Sequence, residues 1–234
     1  MLTIDKLNAW YGTSHILQDV SLHVERGEVV ALLGRNGAGK TTLLKSIMGI
    51  VRKTRGAATF KGQALLPLAA HQRYGLGLAY VPEDRRIVPG MAVLENLRLG
   101  IVASPRARQE KEIIEQIAQT FPRLKERLQQ EAVTMSGGEQ QMLAIARALA
   151  ADPDMILLDE PSEGIMPVLV DEMFELFAQL KQQGKTILLV EQSVETALGI
   201  ADRAYILDQG AIVHTAGAAA MLADPEIQER YCAV

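Results

Sequence analysis

Three groups of residues in this 234-residue chain have the types and spacing of phosphate chemistry. Gly34-Arg35-Asn36-Gly37-Ala38-Gly39-Lys40-Thr41 reads as Gly, four residues, then Gly-Lys-Thr. Glycines there let the backbone curl so that its N–H groups face phosphate oxygens at a helix N-terminus; Lys40 adds a cation and the Thr41 hydroxyl can ligate Mg2+. Thr42, first residue of a helical segment running to Met48, belongs to the same binding set. The run Met155-Ile156-Leu157-Leu158 ends in Asp159-Glu160, two carboxylates at the C-terminal edge of a strand, where open α/β sheets bind ligands. Asp159 is placed to hold Mg2+ and Glu160 to orient or deprotonate an attacking water, with Lys40 a second catalytic group beside Glu160. Ser136-Gly137-Gly138-Glu139 joins a hydroxyl to exposed amides at the start of a helix over 139–150, a second anion-binding surface.

The elements that must position these groups are legible in the hydrophobic pattern. Val20, Leu22 and Val24 alternate with Ser21, His23 and Glu25, the period of a strand with one buried face, and Arg26-Gly27-Glu28 reads as a turn. The run Val29 to Leu33 is wholly apolar, and similar runs recur at Met155 to Leu158, Thr186 to Val190 and Ala204 to Leu207. Such runs suit the centre of a parallel sheet covered on both faces. Met173, Leu176, Phe177 and Leu180 recur at helical spacing before Gly184, giving a strand, helix, strand unit. From about Arg86 to Ala151 the patterns are helical only, with Ile113, Ile114, Ile117 and Phe121, then Met142, Ile145, Ala146 and Leu149. An inserted helical subdomain within one α/β domain is the expectation, since no repeat or low-complexity tract divides the chain.

Composition bounds the partners. With 24 Lys and Arg against 28 Asp and Glu, the net charge is −4, and no basic stretch marks a protein whose affinity comes from nucleic-acid phosphates. The single Cys, Cys232, can form neither an internal disulfide nor a thiolate metal site, which fits a reducing compartment. His15, His23, His71 and His214 lack metal-ligand spacing. No run approaches the roughly 18 apolar residues of a membrane helix. The N-terminal sequence has no signal-peptide pattern, so a cytoplasmic address is expected. For the stretch from Thr215 to Val234, a helix and a dimer contact both stay open.

Met135-Ser136-Gly137-Gly138-Glu139-Gln140-Gln141 is nearly the signature Leu-Ser-Gly-Gly-Glu-Gln-Gln, and over essentially its whole length the chain resembles the ATP-binding cassette family. The resemblance implies an α/β P-loop NTPase. A RecA-like core with a parallel sheet and an N-terminal antiparallel β subdomain would span 1–85 and 152–234, with the helical subdomain at 86–151. It implies ATP and Mg2+, and a second ATP-binding subunit arranged head to tail, so that each signature completes the partner's site. Tyr11 matches the aromatic that stacks on adenine. Glu83 stands where the family usually has Gln, near Mg2+, and Gln192 where it usually has the switch His. Ser162 to Met166 matches the loop after the catalytic Glu, with Met166 replacing the usual Asp.

Val81-Pro82-Glu83, Arg85-Arg86, Glu160-Pro161-Ser162 and Val190-Glu191-Gln192 together look like the short ATP-binding subunits of branched-chain amino-acid importers and of relatives serving urea, amides or aromatic acids. Asp84, in place of Gly, and Glu163 depart from that pattern. Such a subunit hydrolyses ATP at the cytoplasmic face of the cell membrane, docked on integral permease subunits that an extracytoplasmic solute-binding protein serves. Three rivals stand beside this reading. A cassette acting on DNA or ribosomes usually carries two cassettes or a long coiled coil; a GTPase would show an Asn-Lys-x-Asp tetrad; a non-catalytic nucleotide sensor would explain the replacements at Glu83 and Gln192.

Overall fold

The computed structural model describes residues 1–104, 109–224 and 226. The chain opens with a hairpin, β1 (Leu2–Tyr11) and β2 (Ser14–Val24), in which Val20, Leu22 and Val24 turn inward as their alternation predicts. The apolar run that follows is β3 (Val29–Leu33), buried at every position, and the Gly-rich loop leads from it into α1 (Lys40–Ile47). β4 (Lys53–Phe60) and β5 (Gln63–Ala64) join the hairpin in an antiparallel sheet of order β2-β1-β4-β5. After α2 (Ala70–Gly75) and β6 (Leu78–Val81) come α3 (Val93–Val102), α4 (Glu110–Thr120), α5 (Pro122–Glu126) and α6 (Gly137–Leu149). Then follow β7 (Met155–Asp159), α7 (Pro167–Gln182), β8 (Thr186–Val190), α8 (Val194–Ile200), β9 (Arg203–Asp208), β10 (Ala211–Gly217) and α9 (Ala218–Leu222). The stretch from Thr215 thus begins as strand and short helix; Cys232 lies outside the described residues.

The second sheet has the order β10-β9-β3-β8-β7-β6 and is parallel except for β10. Its central strands lack polar alternation because each face covers a separate core. Val29, Ala31, Ile156, Leu158, Ile187 and Leu189 face a core shared with Leu97, Leu143 and Phe177 of the helices. Val30, Leu32, Leu157, Leu188 and Val190 face a second core shared with Leu43, Leu44 and Ile47 of α1 and with Leu7 and Phe60 of the antiparallel sheet. One register step separates the two sets, so a slip would exchange them. α1 therefore lies between the two sheets, and buried Arg73 fixes its far end by donating to the carbonyls of Ser46 (2.8 Å) and Ile47 (2.7 Å).

Register also levels the functional edge. Val190 of β8 pairs with Leu32 on one side and Asp159 on the other, so the loops after β3, β7 and β8 emerge together at the C-terminal edge of the sheet. Among the described residues no helix is long and apolar enough to cross a membrane. α3 and α6 approach so closely that a Cβ on Gly100 would run into the Arg147 carbonyl and sit 3.4 Å from the Ala150 Cβ. Overpacking there costs about 1–3 kcal/mol and exceeds the helix-propensity gain of about 1 kcal/mol. Gly100→Ala is thus expected to lower the denaturation midpoint at unchanged slope, measured by equilibrium unfolding in urea.

Candidate nucleotide site

The loop between β3 and α1 is closed by its own lysine. Lys40, almost fully buried, donates to the carbonyls of Gly34 (2.8 Å) and Arg35 (3.2 Å), and the Ala38 N–H donates to Arg35 O at 3.1 Å. Two glycines are obligatory in this path. Gly34 has φ 144° and backs onto the Leu207 carbonyl, leaving no room for a Cβ, while Gly39 has φ 109° at the entry to α1. Asn36, Gly37, Gly39, Lys40, Thr41 and Thr42 line a cleft of about 250 Å³, with Glu160 across from them and Ile16 of β2 at its side. Loop amides at the start of an α-helix, a lysine and two hydroxyls are a donor set for a polyphosphate.

The acid pair meets this loop directly. Asp159 is fully buried; its Oδ1 accepts from the Thr41 hydroxyl (2.9 Å) and its Oδ2 from the Tyr80 hydroxyl (2.7 Å). Burial pushes the Asp159 carboxyl up, the two hydroxyls hold it back, and the neighbouring Glu160 charge raises it further. The Tyr80 phenol is also pushed up, by burial first and then by the Asp159 carboxylate it bonds. Glu160 sits in the left-handed region, φ 45°, with its N–H donating to Val190 O at 2.9 Å. Its Oε1 lies 3.4 Å from the Lys40 ammonium and its Oε2 accepts from Gln192 Nε2 at 2.5 Å. Lys40 and Gln192, the other two residues expected to be catalytic, thus both contact Glu160.

Sequence reasoning gave no part to Tyr80, and Glu191 entered it only as part of a motif. Glu191 is buried, and it accepts from Ser162 N–H (3.0 Å), Ser162 Oγ (2.9 Å) and the Gln192 N–H (3.2 Å), stapling the loop after β7 to the loop after β8. Burial pushes its carboxyl up against those donors. The available signal was an acid placed immediately after the apolar end of a strand, Ile187 to Val190, as Asp159 is after Met155 to Leu158. Glu83 is not brought to the Thr41–Asp159 corner by the interactions seen here. It is exposed and faces Glu163, whose carboxyl is pushed up by burial and by the charges of Glu83 and Glu160. Among the described residues no three His, Cys, Asp or Glu side chains converge as a metal cage.

The signature forms a capped helix start. Ser136 is the N-cap of α6; its Oγ accepts from the Glu139 N–H (3.4 Å), while Glu139 Oε2 accepts from Ser136 N–H (3.0 Å) and Oγ (2.8 Å). Burial would raise the Glu139 carboxyl, but the Ser136 donors and Arg127, 3.1 Å away, bring it below the ordinary value. Glu139, expected to contact nucleotide, is therefore engaged within its own chain as the cap partner. Ser136, Gly137, Gly138 and Glu139 do not line the Lys40 cleft, nor does Tyr11, half exposed at the end of β1. The loop carrying Glu83 is tied to the signature helix: Arg85 and Arg86 have φ 58° and 49°, and Arg147 of α6 donates to their carbonyls at 2.8 and 2.7 Å. Gly137 leaves space for the Arg85 guanidinium, which a Cβ there would approach to 3.0 Å.

A sequence profile of the ABC transporter family matches residues 17–163. The chain is 43% identical, over 99% of its length and 99% of the relative's, to the high-affinity branched-chain amino acid transport ATP-binding protein BraG of Pseudomonas aeruginosa. It is 37% identical to the probable branched-chain amino acid transport ATP-binding protein LivF of Archaeoglobus fulgidus, over 99% of this chain and 98% of that one. The lipopolysaccharide export system ATP-binding protein LptB of Acidithiobacillus ferridurans is also 37% identical, over 99% of this chain and 96% of that one. A solved ATP-binding subunit of an ABC transporter superposes with a TM-score of 0.83 at 30% identity, covering 93% of this chain and 90% of the other. The antiparallel sheet, the parallel sheet and the Gly-rich loop are the P-loop fold of that family. The chain belongs to the ABC transporter family, as one of its ATP-binding cassettes.

Proposed function

We propose that the chain is the ATP-hydrolysing subunit of an importer for branched-chain or other hydrophobic amino acids. The observation that carries the hydrolytic part is the Glu160 carboxylate, held between the Lys40 ammonium and the Gln192 amide at the mouth of the phosphate-sized cleft. Held this way, one carboxylate can accept a proton from a water while its two neighbours keep it in place. The solute class is supported by the higher identity to BraG than to LptB.

Each remaining residue has a place in this reading. Gly34 to Thr42 receive the phosphates of ATP through amides, the ammonium and hydroxyls. Thr41 and Asp159 present hard oxygen donors 2.9 Å apart, a set that fits Mg2+, which takes one or two protein oxygens and keeps waters. When bound, Mg2+ supplies charge neutralisation for phosphoryl transfer. Glu83, beside Glu163 and its neighbour Glu160, is assigned to a water at that ion. Tyr11, exposed beside the cleft strand, offers its ring to adenine. Ser136 to Glu139 serve the nucleotide of a second, head-to-tail ATP-binding subunit.

The helical part, 86–151, is the subdomain that moves against the core. A groove of about 300 Å³ between β6, α3 and α6, lined by Tyr74, Tyr80, Arg86, Leu99 and Arg147, receives an integral permease subunit. That assignment puts the chain at the cytoplasmic face of the cell membrane. The extracytoplasmic solute-binding protein is then reached only through the permease, and solute choice lies outside this chain.

Wild-type protein is expected to release phosphate from ATP, and Glu160→Gln to lower kcat by about 10²–10⁴ while still binding ATP. Equal and negligible release by both, with tight ATP binding, would support the non-catalytic sensor instead. Gln192 has no proton to exchange between pH 5 and 8. Wild-type turnover should therefore lack a histidine limb, and Gln192→His should gain one centred near about 6.5; an unchanged rate profile across pH 5–8 would remove Gln192 from the switch position.

A further inference from the structure

Tyr80 and Asp159 come from adjacent parallel strands. Tyr80 pairs with Leu157, so the side chains of Tyr80, Leu157 and Asp159 share one face of the sheet, and the phenol reaches along the strand direction to the carboxylate. Asp159 is fully buried and has two hydroxyl donors, Thr41 on Oδ1 at 2.9 Å and Tyr80 on Oδ2 at 2.7 Å. The torsion that turns an aspartate's carboxylate plane has a broad, two-fold profile, so a single donor leaves the plane free to rotate. Donors on both oxygens fix it. Thr41 cannot do this alone, because it approaches from the loop side only and its oxygen is itself a candidate ligand.

We propose that Tyr80 is a positioning residue for Mg2+: it holds the Asp159 carboxylate in the one plane that presents Oδ1 beside Thr41. This rests on the reading of Asp159 as the Mg2+ carboxylate. Partners of a ligating carboxylate contribute to metal affinity by about 10–100-fold. Phe at position 80 keeps the ring that packs against the core of α1 and removes only the donor.

The test uses the full chain and a fluorescent, hydrolysis-resistant ATP analogue, with Mg2+ titrated against wild type, Tyr80→Phe and Asp159→Asn. Tyr80→Phe is expected to need about tenfold more Mg2+ for half-maximal tightening of the analogue, with its Mg2+-free affinity unchanged. Tyr80→Phe superposing on wild type while Asp159→Asn is shifted would overturn the positioning role and leave the Asp159 reading intact. Asp159→Asn superposing on wild type would overturn both. Loss of Mg2+-free binding in Tyr80→Phe would make the hydroxyl a structural tie between β6 and β7 and overturn the proposal.

Discussion

The buried contact between Lys40 and Glu160 is the constraint on which the rest of the molecule depends. Its two side chains are 4% and 10% exposed and lie 3.4 Å apart. Taking two charges out of water is tolerable only if their remaining hydrogen-bonding capacity is met. Here the Gly34 and Arg35 carbonyls take the ammonium and the Gln192 amide takes the carboxylate. Gly34 and Arg35, Glu160 and Gln192 follow the ends of β3, β7 and β8, so the pairing of Val190 with both Leu32 and Asp159 is a condition of the contact as well as of the sheet. The left-handed backbone at Glu160 is held by the same arrangement, through its N–H on Val190 O.

Two further ties connect this edge to the helices. Arg147 of α6 bonds the carbonyls of Arg85 and Arg86, whose positive φ values are strained for residues with a side chain, so the Glu83 loop and the signature helix share one support. Tyr80 lines the groove between β6, α3 and α6 and also bonds Asp159. Whatever sits in that groove abuts a side chain in direct contact with the acid corner. Glu191 makes the third tie, between the loops after β7 and β8, with three donors on one buried carboxylate.

What the sequence made legible follows the range of the interactions. The Gly-rich loop is local: its glycines, Lys40 and Thr41 act within a few residues, and the fold uses each where spacing places it. The two-core sheet was equally readable, because burial on both faces removes the polar alternation that a one-sided strand must show. Tyr80 and Arg147 were not, since their partners lie 79 and 62 positions away along the chain. An aromatic on a strand and an arginine on a helix carry no mark of a distant carboxylate or carbonyl. Glu139 shows the converse. Its place in the signature suggests a ligand, and the spacing Ser-x-x-Glu is also that of a capping box, which the structure contains.

The capping box also bears on the second anion-binding surface proposed at the signature. A helix N-terminus has orphan N–H groups that draw in whatever acceptor is near. Ser136 and Glu139 satisfy two of them reciprocally, and Arg127 pairs with the Glu139 carboxylate at 3.1 Å. The glycines between them are kept side-chain-free by their neighbours, Gly137 by Arg85 and Gly138 by Leu169. Gly137 and Gly138 do not line the Lys40 cleft. Their place outside the Lys40 cleft accords with the proposal that the anion they serve is carried by another molecule. On the proposed head-to-tail reading, a single chain would contribute Glu160 to one nucleotide site and Ser136 to Glu139 to another.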